Sequence, residues 1–188
     1  MRNLCVTCAV ILVMASCRND ARFIREIERL SHQRIEFPEG YVELSCGSNL
    51  GLDSLIRQDI RMVSYYGNAV CTSCCAKNLR MWQDEIQRID KDVAYIVVVQ
   101  SYEGLDFLNF TDSLTLDFPV MFYDSDVFGE TNKLDDILAR NRTFLLNRDN
   151  EIVLVGEPFG REKLSKLYKR CIDSLRVKEY ANKQSERR

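Results

Sequence analysis

The spacing of apolar residues changes period repeatedly along this chain, and each change marks an element. Short apolar runs at Tyr41–Cys46, Ile60–Tyr66, Val93–Val99, Phe118–Tyr123, Thr143–Leu146 and Ile152–Gly156 predict strands. Val93–Val99 is almost uninterrupted and β-branched, which suits a strand covered on both faces of a parallel sheet. Pro119 lacks an N–H for a sheet ladder, so its run is expected at an edge or to begin at the proline. Helical spacing appears in three places. Phe23, Ile24, Ile27 and Leu30 form one stripe, and Cys75, Leu79, Trp82, Ile86 and Ile89 a second. Leu164, Leu167, Cys171 and Leu175 form the third, on a helix from about 161 to 178.

The stretches between are less regular. Pro38-Glu39-Gly40 signals a turn, and Leu52–Gln58 reads as a single helical turn or a loop. Residues 103–116 connect, with helical character around Leu105–Leu108, and Ser125–Ala139 reads as loop followed by helix. Asn147-Arg148-Asp149-Asn150 has the residues of a hairpin turn. Beyond Tyr180 the chain is polar and expected to fray.

The predicted strand Ile60–Tyr66, the helix after it and the strand Val93–Val99 make a βαβ unit. At its first turn lies Asn68-Ala69-Val70-Cys71-Thr72-Ser73-Cys74-Cys75, holding three of the eight cysteines. A Cys-x-x-Cys there puts the first sulfur at a helix start, where unpaired N–H groups and the positive dipole end favour a thiolate. The second sulfur falls about one turn on, within disulfide reach. Ligand sites of open α/β sheets sit at this carboxyl edge.

The chain has 188 residues, 46% hydrophobic and 29% charged, enough for one domain with a substantial core. Its formal net charge of −2 argues against a nucleic-acid surface. His32, the one histidine, lies outside any cysteine cluster, so a Cys2His2 zinc site is excluded. None of the usual zinc spacings appears either.

At the amino end a basic start, Arg2, precedes an apolar run from Leu4 to Ala15. This is the pattern of a secretory signal and is short for a membrane span. Val13-Met14-Ala15-Ser16-Cys17 resembles the lipobox of bacterial lipoproteins. That resemblance implies cleavage before Cys17, a lipid on its sulfur, and work in the cell envelope, where disulfides persist. Cys5 and Cys8 would leave with the signal. Cys46, Cys71, Cys74, Cys75 and Cys171 would remain, an odd number, so at least one is free or pairs with another molecule. The expected division is 1–16 signal, 17–40 tether and first helix, 41–178 folded domain and 179–188 polar tail.

Strand, Cys-x-x-Cys, helix, central strand, helix, hairpin and final helix is an order similar to the thioredoxin superfamily. The chain most resembles the envelope-anchored TlpA/ResA-like branch. Phe118-Pro119-Val120 with Tyr123-Asp124 is similar to that branch's inserted strand, and Thr143–Val153 to its hairpin. The resemblance covers about 60–176, with weaker strand matches at 41–46. It implies a thioredoxin-like α/β fold: a central mixed sheet flanked by helices, with an N-terminal strand and helix extension. It implies thiol–disulfide exchange with a disulfide or dithiol of another envelope protein. Cys71 would be the attacking thiolate and Cys74 the resolving thiol.

Three positions depart from that family. Val70 replaces the aromatic residue that commonly precedes the first cysteine. Asn141 or Arg142 stands where a proline normally precedes the strand opposite the motif. Cys75 could compete with Cys74 for Cys71, although its place on the Leu79–Trp82–Ile86 stripe suits a small buried apolar residue. These departures keep two other readings open. One is a binding lipoprotein with a structural Cys71–Cys74 bridge. The other is Cu(I) handling by Cys71, Cys74 and Cys75, since soft thiolates suit that ion. Of the other residues, Cys171 and Trp82 are expected in the core, and Cys46 either within its strand or in a structural bridge. His32 is expected at the surface, and Asp84, Glu85, Asp90 and Asp92 on a solvated face.

Overall fold

A computed structural model of the chain describes residues 21–44, 51–67, 72–100 and 116–185, with the side chains of 72–78, 80, 182 and 185 outside the description. The expectations for the leader, Cys17, Cys46, Cys71 and most of the 103–116 connection fall outside the described residues.

Helix α1 covers 21–30, as its apolar stripe predicts. Strand β1 (Val42–Leu44) and helix α2 (Leu52–Ile56) follow. Next come strand β2 (Arg61–Tyr66), helix α3 (Thr72–Ile89) and strand β3 (Ala94–Gln100). Strand β4 is Val120–Tyr123 and helix α4 is Val127–Asn132. A 3-10 turn at Ala139–Asn141 leads to the hairpin of β5 (Thr143–Leu146) and β6 (Ile152–Val155), and helix α5 (Glu162–Ser185) ends the description.

The strands form one sheet in the order β1-β4-β3-β2-β5-β6. β2, β3 and β4 run parallel, while β1, β5 and β6 are antiparallel to their neighbours. Every residue of β3 is buried, as a strand with helices on both faces requires.

Side-chain alternation divides the core in two. Met62 and Tyr66 of β2, with Tyr95, Val97 and Val99 of β3, pack with Leu79, Trp82, Ile86 and Ile89 of α3 and with Tyr168 and Ile172 of α5. Val63 and Tyr65, with Ile96 and Val98, face the other way, packing with Leu30 of α1, Leu52 and Leu55 of α2 and Phe128 of α4. Fully burying a large apolar side chain is worth about 1.5–3 kcal/mol, more than helix propensity contributes per residue, so packing holds these helices.

The structure departs from the sequence reading in four places. β4 is interior, paired on both sides, and Pro119 immediately precedes its first residue, where no ladder donor is needed. Between 125 and 139 the helix comes first and the turn second. Asn132, 1% exposed, donates to Glu36 O and Phe128 O and accepts from Glu36 N, and Lys133 at φ 53° closes the helix. Helix α5 runs through Tyr180 to Ser185, because Glu179 pairs with Arg148 and Lys183 with Asp59, and no glycine or proline interrupts it. Lastly, Asp84 and Asp92 are exposed as expected, but Asp90 is only 7% exposed, held by Arg176.

Candidate functional site

Helix α3 begins at Thr72, the residue after Cys71, and β2 ends at Tyr66. The cysteine turn thus separates the carboxyl end of a central parallel strand from a helix start. Cys74 and Cys75 belong to the first turn of α3. Cys71 and the side chains of Cys74 and Cys75 lie outside the description, as do Cys17 and Cys46. Cys171 is half-buried and packs against the α3-side core, as its stripe predicts. Trp82 is buried and His32 exposed, also as expected. No group of three or more metal-ligating side chains occurs among the described residues. No described helix is long and apolar enough to cross a membrane.

Two further segments reach the same sheet edge. β5 is antiparallel to β2, so its first residue, Thr143, pairs with Ser64 near the end of β2. Arg142 extends that pairing, accepting from Tyr65 N at 2.9 Å through its carbonyl. Because β6 returns alongside β5, residues 156–161 leave the sheet at this edge as well. Gly156 N donates to Thr143 O, and Glu157 N donates to Arg140 O, each at 2.9 Å. Gly156 has φ 125°, a conformation that L side chains rarely adopt.

Aromatic stacking ties these pieces to α3. Trp82 stacks on Tyr66 at 5.2 Å and on Phe159 at 4.7 Å between ring centroids. The Glu85 carboxylate accepts from Gly160 N at 2.8 Å. A buried polar chain runs beneath the edge. Tyr95 donates its hydroxyl to Ser64 Oγ at 2.9 Å, and Ser64 Oγ lies 2.9 Å from Thr143 Oγ1. The Tyr168 hydroxyl reaches Gly156 O at 2.8 Å and Thr143 O at 3.1 Å. Tyr168 is fully buried, and burial pushes its phenol well above the ordinary value, so it remains a donor.

The turn carrying Arg142 is held from α1. The Glu26 carboxylate accepts from Leu138 N at 3.1 Å and from Asn141 Nδ2. Glu157, half-buried on the adjacent loop, has its carboxyl raised by burial, against the pull of the Arg161 and Arg142 charges.

On the α4 face of the edge is a cavity of about 250 Å³, lined by Tyr65, Gln100, Asp126, Glu130, Asp135 and Arg142 among others. A larger hollow of about 340 Å³ lies between the second half of α3 and the start of α5, away from the cysteine turn.

Sequence reasoning singled out the cysteines and the Asn141/Arg142 departure. It missed Glu26, Tyr65, Gln100, Glu157 and Phe159. Tyr65 read as a strand residue and Glu26 as one charge on a polar helix, because their partners are far away in sequence. The Gly156-Glu157-Pro158-Phe159-Gly160 turn was the one available signal for the last two.

No protein-family model matches the chain, and no curated protein does. Solved structures do resemble it. A candidate protein disulfide isomerase from Bacteroides thetaiotaomicron superposes with a TM-score of 0.55 at 18% identity, over 81% of this chain and 94% of the other. A candidate thiol:disulfide interchange protein, DsbE, from Chlorobium tepidum gives 0.47 at 14% identity, over 77% and 99%. An exposed lipoprotein thioredoxin from Streptococcus pneumoniae gives 0.45 at 18% identity, over 70% and 99%. The first carries the weight: this chain has the thioredoxin-like α/β fold.

Proposed function

We propose that the protein is a thiol–disulfide oxidoreductase of the cell envelope, tethered by a lipid on Cys17 and exchanging disulfides with polypeptide partners through Cys71 and Cys74. The observation that supports this best is the start of α3 at Thr72, directly after Cys71 and beyond the carboxyl end of β2. A helix start lowers a thiol's pKa and raises its thiolate fraction near neutral pH.

In the reducing direction, the Cys71 thiolate attacks one sulfur of a partner disulfide. A mixed disulfide forms, the partner's S–S bond breaks, and one partner sulfur leaves as thiolate. The Cys74 thiolate then attacks Cys71 Sγ, forming the Cys71–Cys74 disulfide and releasing the second partner sulfur. Two electrons pass to the partner, and the protons of the two thiols end on its dithiol. The oxidising direction is the reverse. Neither step needs a metal or organic cofactor.

The test is insulin reduction and redox titration of the chain lacking its leader. Wild type should reduce insulin, Cys71→Ser should not, and Cys74→Ala should accumulate a mixed disulfide on Cys71. Insulin reduction that survives Cys71→Ser sinks the assignment. The second reading, a binding protein with a structural Cys71–Cys74 bridge, draws on Asn141 or Arg142 standing where the family it resembles has proline, and on Val70 before Cys71. It predicts a bridge that resists reduction, and about 2–5 kcal/mol of stability lost with it.

A further inference from the structure

We infer that the cavity at the α4 face of the catalytic edge receives a lysine or arginine side chain of the partner polypeptide; the inference rests on the exchange reading above. Its floor is polar and built. Gln100, 2% exposed, donates to Asp126 Oδ1 at 2.6 Å and accepts from Gly129 N at 3.0 Å. Tyr65 is also 2% exposed and lines the same space. Its hydroxyl sits in a slot between two glycines: a Cβ on Gly67 would lie 2.6 Å from it, and one on Gly129 2.5 Å.

The Tyr65 hydroxyl has no hydrogen-bond partner among the described residues and stays open to the cavity. A ligand group at this point would supply the missing bond. Three carboxylates, Asp126, Glu130 and Asp135, face one guanidinium, Arg142, around the same space. Glu130 and Asp135 form no salt bridge with any described residue, and both are exposed at the rim. Burial and the Asp135 and Asp126 charges push the Tyr65 phenol above its ordinary value, against Arg142, so it stays neutral and can accept from a cation.

Size and chemistry narrow the occupant. The volume of about 250 Å³ falls below the roughly 300–1,000 Å³ of small-molecule sites, which suits one side chain better than a cofactor. The buried side chains of Leu134 and Ile137 line the space beside the acids. They suit the aliphatic stem of a side chain whose charged head lies among carboxylates. Arg142 Nε is buried without an acceptor. Gly67, which lines this wall, precedes Cys71 by four residues in the chain.

The experiment uses two disulfide peptides, identical but for lysine or glutamine beside one cysteine. Their exchange rates are measured with the reduced chain at low salt. Wild type should favour the lysine peptide roughly fivefold, the ceiling for an exposed ion pair, and added salt should erode the ratio. In Glu130→Gln/Asp135→Asn, both changes being at exposed positions, the ratio should fall towards one. A ratio near one in wild type, or one that persists in the double variant, overturns the inference. A second arm follows the Gln100 and Gly129 amide signals while a cysteine-free lysine peptide is added. Saturable shifts in wild type that vanish in the double variant support the pocket, and their absence overturns it. If neither disulfide peptide exchanges, the oxidoreductase reading fails, and the second arm still judges the pocket.

Discussion

Replacing Arg176 by alanine should cost the protein about 2–3 kcal/mol. Asp90 directly follows α3, where its N–H donates to Ile86 O and its Oδ1 accepts from Asp92 N at 2.9 Å. Its carboxylate takes two hydrogen bonds from Arg176 of α5, at 2.5 and 2.7 Å, with Lys169 4.0 Å away. The Asp90 side chain is 4% exposed and that of Arg176 40%. Removing a partner from a fully buried pair costs about 3–5 kcal/mol. The figure here is lower because water can enter the space the exposed arginine vacates and because Lys169 remains.

Burial alone would raise the Asp90 carboxyl. The Arg176 hydrogen bonds, the Asp92 N–H and the Arg176 and Lys169 charges outweigh it and hold the group below its ordinary value. A depressed folded value means that the stabilisation is full above the unfolded value, about 3.9, and is lost as pH falls through the folded one. In urea unfolding at neutral pH, Arg176→Ala should show the full loss, with a midpoint temperature lower by roughly 4–12 °C. The gap to wild type should close in acid. Asp90→Asn should cost less, because the arginine left behind is already partly solvated. A loss under about 0.5 kcal/mol, or a gap unchanged in acid, would refute the clamp.

Other substitutions probe the edge. Glu26→Ala should lower stability by about 1–3 kcal/mol by stripping the acceptor from Leu138 N and Asn141 Nδ2, with partial recovery in Glu26→Gln; equal losses in the two variants would contradict this. Tyr168→Phe should cost about 1–2 kcal/mol, since Gly156 O loses its hydroxyl donor, and amide exchange should quicken around residues 156–160 more than in β3. Gly129→Ala should destabilise by about 1–3 kcal/mol despite alanine's better helix propensity. Its Cβ would lie 2.5 Å from both the Tyr65 hydroxyl and Asp135 Oδ1, so a gain in stability would show that the slot can open.

Local pattern determined most of the scaffold. The β-branched run of β3 and the stripes of α3 and α5 name their own elements, because burial imposes a period of 2.0 or 3.6 on whatever is buried. The cysteine spacing likewise marked a place between strand and helix, and the structure runs β2 into α3 around it. What sequence could not reach depends on partners far along the chain. Asp90 looks like any acid after a helix until Arg176 arrives from α5. Asn132 orders the 125–139 segment through Glu36, and the late turns of α5 persist through Asp59 and Arg148. The Tyr65 hydroxyl, the Glu26 carboxylate and the acidic cavity acquire meaning only when α1, α4 and the 138–142 turn meet at one edge. Periodicity records which face of an element is buried. A hydrogen bond or ion pair between elements records which residue lies opposite, and that depends on register and topology, which only the tertiary structure decides.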